Sequence, residues 1–132
     1  MKKRGILNSR LSALIAGLGH MDLLMIGDAG MPIPAGVEVV DLVLTEGVPA
    51  FDQVLRAVVS EIVTEHYYVA EETKEKSAQI TELLAESMPG VSFTEMPHAQ
   101  LKEFSKNVKF AIRTGEFTPY ANVILQCGCA FS

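Results

Sequence analysis

Of the side chains in this sequence that can move protons or grip a polar ligand, the informative ones stand just beyond apolar runs. His20 follows Gly19 after a helix-spaced apolar segment, and Asp28 follows Leu23–Ile26 inside the loop Gly27-Asp28-Ala29-Gly30. His98 follows Pro97 after the run Val91–Met96, while Tyr120 and Asn122 follow Thr118-Pro119 ahead of the apolar C-terminal stretch. Imidazole titrates near neutrality, so histidine can both donate and accept protons there. Asp, Tyr and Asn supply hydrogen bonds. Each position also has a plain structural use. His20 can cap a helix C-terminus, where the dipole favours a cation, and Asp28 can close an Asx-turn. His98 can be an N-cap or first-turn residue, and Tyr120 and Asn122 suit a turn. His66 lies within the alternating stretch His66-Tyr67-Tyr68-Val69, where packing is the stronger reading.

Several chemistries lack their residues. There is no H-E-x-x-H, paired C-x-x-C or EF-hand spacing for a metal, and no G-x-S-x-G nucleophile elbow. Gly17-Leu18-Gly19 has no third glycine at the required spacing and follows a helix rather than a strand, so a dinucleotide fingerprint fails. Cys127 and Cys129 are too close in sequence for an unstrained bridge and too few for a disulfide framework. Cofactor-free acid–base work remains, or plain binding of a polar ligand by the same residues.

Composition narrows the partners. The 132 residues carry a net charge of −5, and Lys2-Lys3-Arg4 is the one basic cluster, which disfavours a nucleic-acid partner. No apolar run reaches 18 residues, so no membrane-inserting helix is expected. Residues 11–18 lack a small-residue cleavage pattern and read better as an amphipathic helix, leaving a cytoplasmic location as the default. With 48% hydrophobic and 20% charged residues the chain is not disordered. A chain this small hides only about two-thirds of its unfolded surface, so part of that apolar content is expected to be buried against further copies.

These side chains need elements to position them. Asn8 caps a helix from Ser9 to about Gly17, with Leu7, Leu11, Leu14, Ile15 and Leu18 on one face. Leu23–Ile26 suits a strand buried on both faces, and Val37–Leu44 a second strand. Pro49 to Ile62 is the clearest helix, its stripe being Phe51, Val54, Leu55, Val58, Val59 and Ile62. There follow a strand His66–Ala70, a charged helix Glu71–Met88, a strand Val91–Met96, and a short helix Ala99–Lys106. Strands Lys109–Arg113 and Asn122–Phe131 close the chain. The alternating centre implies an α/β fold: a three-layer α/β/α single domain over residues 1–132, with a central mixed sheet. Such sheets bind ligands beyond their strand ends, where the candidate residues stand.

Two of the segments that bear those residues resemble a known family. Residues 19–32, Gly-His-Met-Asp-Leu-Leu-Met-Ile-Gly-Asp-Ala-Gly-Met-Pro, and residues 113–125, Arg-Thr-Gly-Glu-Phe-Thr-Pro-Tyr-Ala-Asn-Val-Ile-Leu, resemble signatures of the ribose/fucose sugar mutarotase family, in its ribose branch. The resemblance implies interconversion of cyclic forms of free D-ribose, pyranose to furanose, without metal or nucleotide cofactor. It implies His20 as proton donor, and Asp28, His98, Tyr120 and Asn122 as substrate contacts. Opening a hemiacetal needs an acid at the ring oxygen and a base at the anomeric hydroxyl; His98 or Tyr120 could relay the second proton. The resemblance further implies pentameric rings pairing into a homodecamer, with sites near subunit boundaries. A non-catalytic ribose-binding accessory of transport, or a purely structural ring-forming subunit, would be the competing classes.

Overall fold

The computed structural model describes residues 1–131. Among them, six strands form one mixed sheet, and helices cover both of its faces. The strands are β1 Leu23–Gly27, β2 Glu38–Asp41, β3 Thr64–Ala70, β4 Ser92–Met96, β5 Phe110–Arg113 and β6 Val123–Cys127. The helices are α1 Ser9–Ala16, α2 Phe51–Val59, α3 Glu71–Lys76, α4 Ala78–Ser87 and α5 His98–Phe104, the last followed by a 3-10 turn. The strand order is β2-β5-β1-β6-β3-β4. β6 runs antiparallel to both neighbours, and the other pairings are parallel. Strands β1 to β5 therefore all end at one edge of the sheet, where β6 begins.

Alternation of side chains along the strands sorts the core into two layers. Leu24, Ile26, Tyr67, Val69, Phe110, Ile112, Val123 and Leu125 meet α1, α2 and α4. Met25, Ala70, Ala111 and Ile124 face the other way and meet Leu101 of α5 together with Met31, Met96 and Val108. β1 is buried on both faces, as its unbroken apolar run requires.

Several boundaries differ from the sequence reading, each for a local reason. Asn8 caps α1 by accepting the Leu11 N–H at 2.9 Å, but Leu7 precedes the cap, is 60% exposed, and leaves the inward place to Ile6. β2 stops at Asp41, whose carboxylate accepts from Arg113 of β5 at 2.8 Å and turns back to the Val43 N–H. α2 begins at Phe51 because the Glu116 carboxylate accepts the Phe51 N–H and Gln53 accepts that of Ala50. The expected helix over 71–88 is broken at Ser77, whose backbone is not helical (φ −146°, ψ 59°) and which is buried. Its hydroxyl donates to the Pro119 carbonyl at 2.6 Å, a tertiary bond that outweighs helix continuity. α5 starts one residue early, at His98. β6 ends at Cys127 instead of Phe131; beyond it Gly128 donates to Val63, and Phe131 is 91% exposed.

Candidate active site

Four of the five candidate residues gather at the edge where the parallel strands end. Asp28 leaves β1, His98 leaves β4, and Tyr120 and Asn122 lead into β6. Gly27, the last residue of β1, leaves room for the close approach of its neighbours: a side chain on it would come within 3.1 Å of both Asn122 Oδ1 and Met31 Cβ.

Asp28 is clamped. Its Oδ1 accepts the Gly30 N–H at 2.9 Å, the Asx-turn foreseen from sequence. Asn122, fully buried, accepts the Asp28 N–H on Oδ1 at 2.8 Å and donates from Nδ2 to Asp28 Oδ2 at 3.0 Å. One amide thus satisfies both the backbone and the carboxylate of Asp28, and fixes the direction in which its remaining lone pairs point. A cleft of about 390 Å³ opens beside it, lined by Asp28, Ala29, Gly30, Phe117 and Pro119 among others.

His98 opens α5, and its backbone N–H donates to the Glu72 carboxylate at 3.0 and 3.2 Å. Its ring meets Tyr120 edge-on, with centroids 5.1 Å apart and planes at 83°. Nδ1 is buried and has no hydrogen-bond partner among the described residues. Burial, assisted by the nearby Lys102 cation, holds its pKa below the ordinary imidazole value, against the opposing pull of Glu72 and Asp28. A neutral imidazole therefore sits beside a carboxylate and a phenol.

Tyr120 adopts a left-handed conformation, φ +61°, which for a non-glycine residue must be imposed by its surroundings. The buried Thr73 hydroxyl donates to the Tyr120 carbonyl at 2.9 Å, beside the Ser77 bond to Pro119. Glu116 anchors the same loop. Burial would raise its pKa, but bonds from the Phe51, Thr118 and Phe117 N–H groups and the Thr118 hydroxyl outweigh this and lower it.

His20 is elsewhere. It stands before β1, at the opposite edge, and the five residues of β1 separate it from Asp28 by roughly 16 Å at the usual rise per strand residue. Its ring is exposed, with Nε2 3.0 Å from Glu65 Oε2. One chain does not bring His20 to the other four. His66, read as a packing residue, is held between the hydroxyls of Ser92 and Thr94 at 2.6 and 2.8 Å. The thiols of Cys127 and Cys129 are free, and burial pushes the Cys127 thiol up to about 11. Among the described residues, no three His, Cys, Asp or Glu side chains cluster as a metal site. The sequence reading does not single out Glu72, Thr73, Ser77 or Glu116: the first three lie in a charged stretch with no pattern that marks them, and Glu116 lies within the 113–125 segment without a role of its own.

Residues 1–130 match the model of the RbsD / FucU transport protein family. Relatives named D-ribose pyranase from Levilactobacillus brevis and Symbiobacterium thermophilum are 44% and 47% identical over 131 residues, 99% of this chain and 100% of each relative. The solved structure of Bacillus subtilis RbsD complexed with D-ribose matches with a TM-score of 0.95 at 42% identity, covering 99% of this chain and 100% of that one. A Streptococcus pneumoniae fucose mutarotase, solved in complex with L-fucose, shares the fold at a TM-score of 0.80 and 17% identity, with 94% of each chain covered.

Proposed function

The chain belongs to the RbsD / FucU transport protein family, and from that premise we propose that it is a D-ribose pyranase, an isomerase that interconverts the pyranose and furanose forms of D-ribose. One observation carries the reading. Asp28 lines an open cleft at the strand-end edge where the His98 and Tyr120 rings pack edge-on against each other, in a chain 42% identical to a protein solved with D-ribose. The whole chain, residues 1–132, works as one sugar mutarotase domain.

The chemistry follows from the groups present. Asp28, oriented by Asn122, accepts hydrogen bonds from sugar hydroxyls. His98, kept neutral by burial, takes the anomeric hydroxyl proton, with Tyr120 packed against it as a further contact. Protonated His20 delivers its proton to the ring oxygen as the C1–O bond breaks, leaving the open-chain aldehyde. Rotation and closure through the other hydroxyl return both protons. General acid–base help of this kind contributes roughly 10²–10⁴-fold, ample for a reaction that already proceeds in water.

Because His20 lies at the far edge from Asp28, the complete site takes His20 from one copy and Asp28, His98, Tyr120 and Asn122 from another. Apolar side chains left uncovered near His20 supply the contact: Met21, Val63 and Phe131 are 64%, 43% and 91% exposed. The assembly in this reading is a pair of pentameric rings, a homodecamer, working in the cytoplasm. Light scattering that returns a monomer at working concentration would remove it.

Saturation-transfer NMR between ribose anomers, with and without catalytic amounts of protein, tests the activity. Acceleration is expected, and His20→Ala should lose most of it while folding normally. Saturable ribose binding with no change in exchange rate would make the protein a binding accessory instead.

A further inference from the structure

His20 has a support that the proposed reaction does not yet use. Its backbone is fixed in a tight turn: the Gly19 carbonyl accepts the Asp22 N–H at 3.1 Å, the Asp22 carboxylate accepts the Gly19 N–H at 2.7 Å, and Met21 is left-handed at φ +72°. The side chain has one described partner, Glu65, with His20 Nε2 3.0 Å from Glu65 Oε2. The other carboxylate oxygen accepts from Gln126 Nε2 at 2.8 Å, and Gln126 Oε1 accepts from the Tyr68 hydroxyl at 2.8 Å. Tyr68 is anchored in turn against the Phe104 ring, with centroids 4.6 Å apart.

Glu65 reaches this position through an irregularity. Thr64 pairs with Cys127 and His66 with Gln126, so Glu65 is an extra residue in β3 with no partner of its own in β6. Strict alternation would put its side chain with Tyr67 on the face packed by α1, α2 and α4; a bulge re-aims it toward Gln126. Gly128 makes the room, since a side chain there would come within 3.2 Å of Glu65 Cβ. The Cys127-Gly128-Cys129 ending, unexplained by the sequence motifs, owes its glycine to this contact.

We propose that Glu65 is a positioning residue for the proton donor: presented by the β3 bulge and held by Gln126, it engages His20 Nε2 so that Nδ1 is the nitrogen that faces the sugar. This rests on the reading of His20 as the acid. A carboxylate only accepts, so Nε2 carries a hydrogen throughout. In the imidazolium state Nδ1–H gives its proton to the ring oxygen as the C1–O bond breaks, and His20 is left as the neutral Nε2–H tautomer. Glu65 stays ionised before and after; it orients the ring and stabilises the cation without exchanging a proton, and Nδ1 recovers its proton on ring closure.

The test compares wild type, Glu65→Gln, His20→Ala and the double variant by ribose anomer exchange over a range of ribose concentrations. Glu65 is on the surface and its replacement by the isosteric amide leaves the fold intact, which circular dichroism checks. Loss of orientation and charge should lower kcat by on the order of 10–100-fold, part of what general acid catalysis supplies, with KM within about twofold. In the His20→Ala background the second substitution should cost nothing further, because its effect passes through His20. Full kcat in Glu65→Gln, a loss residing in KM, or a double variant slower than His20→Ala would each overturn the proposal. If Glu65→Gln is fully active while His20→Ala is not, the pyranase reading survives and only the role of Glu65 falls. If wild type itself fails to accelerate exchange, the pyranase reading fails first.

Discussion

Two inactive variants, one lacking His20 and one lacking His98, should restore activity when they assemble together. The reason is geometric. Strands β1 and β4 carry Asp28 and His98 past their C-terminal ends, while His20 precedes β1, roughly 16 Å away across the sheet by strand rise. That gap is several times a hydrogen-bond length, and neither β1, buried on both faces, nor the turn Gly19–Asp22 can close it. In an assembly of His20→Ala and His98→Ala chains mixed equally, the proposed two-copy site is intact when its His20 comes from the His98→Ala chain and its His98 from the His20→Ala chain. Random assembly makes both true at about one site in four. Co-expression of the two chains, purification of mixed assemblies through different tags, and saturation-transfer NMR on ribose would measure this. About a quarter of wild-type exchange is expected, against near-background rates for each parent. A mixed assembly no faster than its parents would refute the two-copy site, and with it the role given to His20 here.

Thr73→Val removes one hydrogen bond from the Tyr120 carbonyl, which keeps the Asn122 N–H at 2.9 Å. The loss of about 1 kcal/mol should appear as a roughly fivefold rise in KM, with Thr73→Ser close to wild type. His98 has a folded-state pKa below its unfolded one, so the unfolded chain binds more protons on acidification. Stability should be complete above about pH 6.5 and fall as pH drops through that value toward the folded pKa; urea denaturation at pH 7.5 and 5.5 should show this slope in wild type and a smaller one in His98→Asn. With its thiol pushed up to about 11, Cys127 should resist iodoacetamide at pH 8 in the folded protein and react once unfolded, as peptide mass spectrometry would show.

The elements were legible where one physical signal dominated. Leu23–Ile26 had to be a doubly covered strand because no residue in it tolerates water, and the Asn8 cap and the Phe51–Val58 stripe follow from local rules. Legibility failed where a tertiary bond overrode local preference. Nothing within residues 71–88 announces a break at Ser77; the cause is the Pro119 carbonyl, 42 positions away. Of the candidate residues, Asp28, His98, Tyr120 and Asn122 could be found because strand-end loops attract chemistry. Their grouping could not, since it depends on β6 and β4 being placed on the same side of β1 in the sheet. Asn122 proved to be the clamp on Asp28, a pairing 94 residues apart that no spacing reveals. His20 was legible as a type and misleading as a neighbour: eight residues from Asp28 in sequence, yet at the other edge.

The reversed strand β6 explains how both edges come to be organised by one short segment. In an all-parallel sheet, Asn122 and Gln126 could not serve Asp28 and Glu65 from a strand between β1 and β3, because that strand would enter from the wrong edge. Running antiparallel, β6 starts beside Asp28 with the buried amide of Asn122 and ends near Glu65 and His20 with the partly exposed amide of Gln126. Between them Val123, Ile124 and Leu125 are fully buried and contribute side chains to both core layers. A slip of one residue in this strand would turn every one of these side chains to the other face. The apolar packing that sets the register of β6 is therefore also what holds both amides at their carboxylates, so stability and the geometry around Asp28 and Glu65 depend on the same five residues.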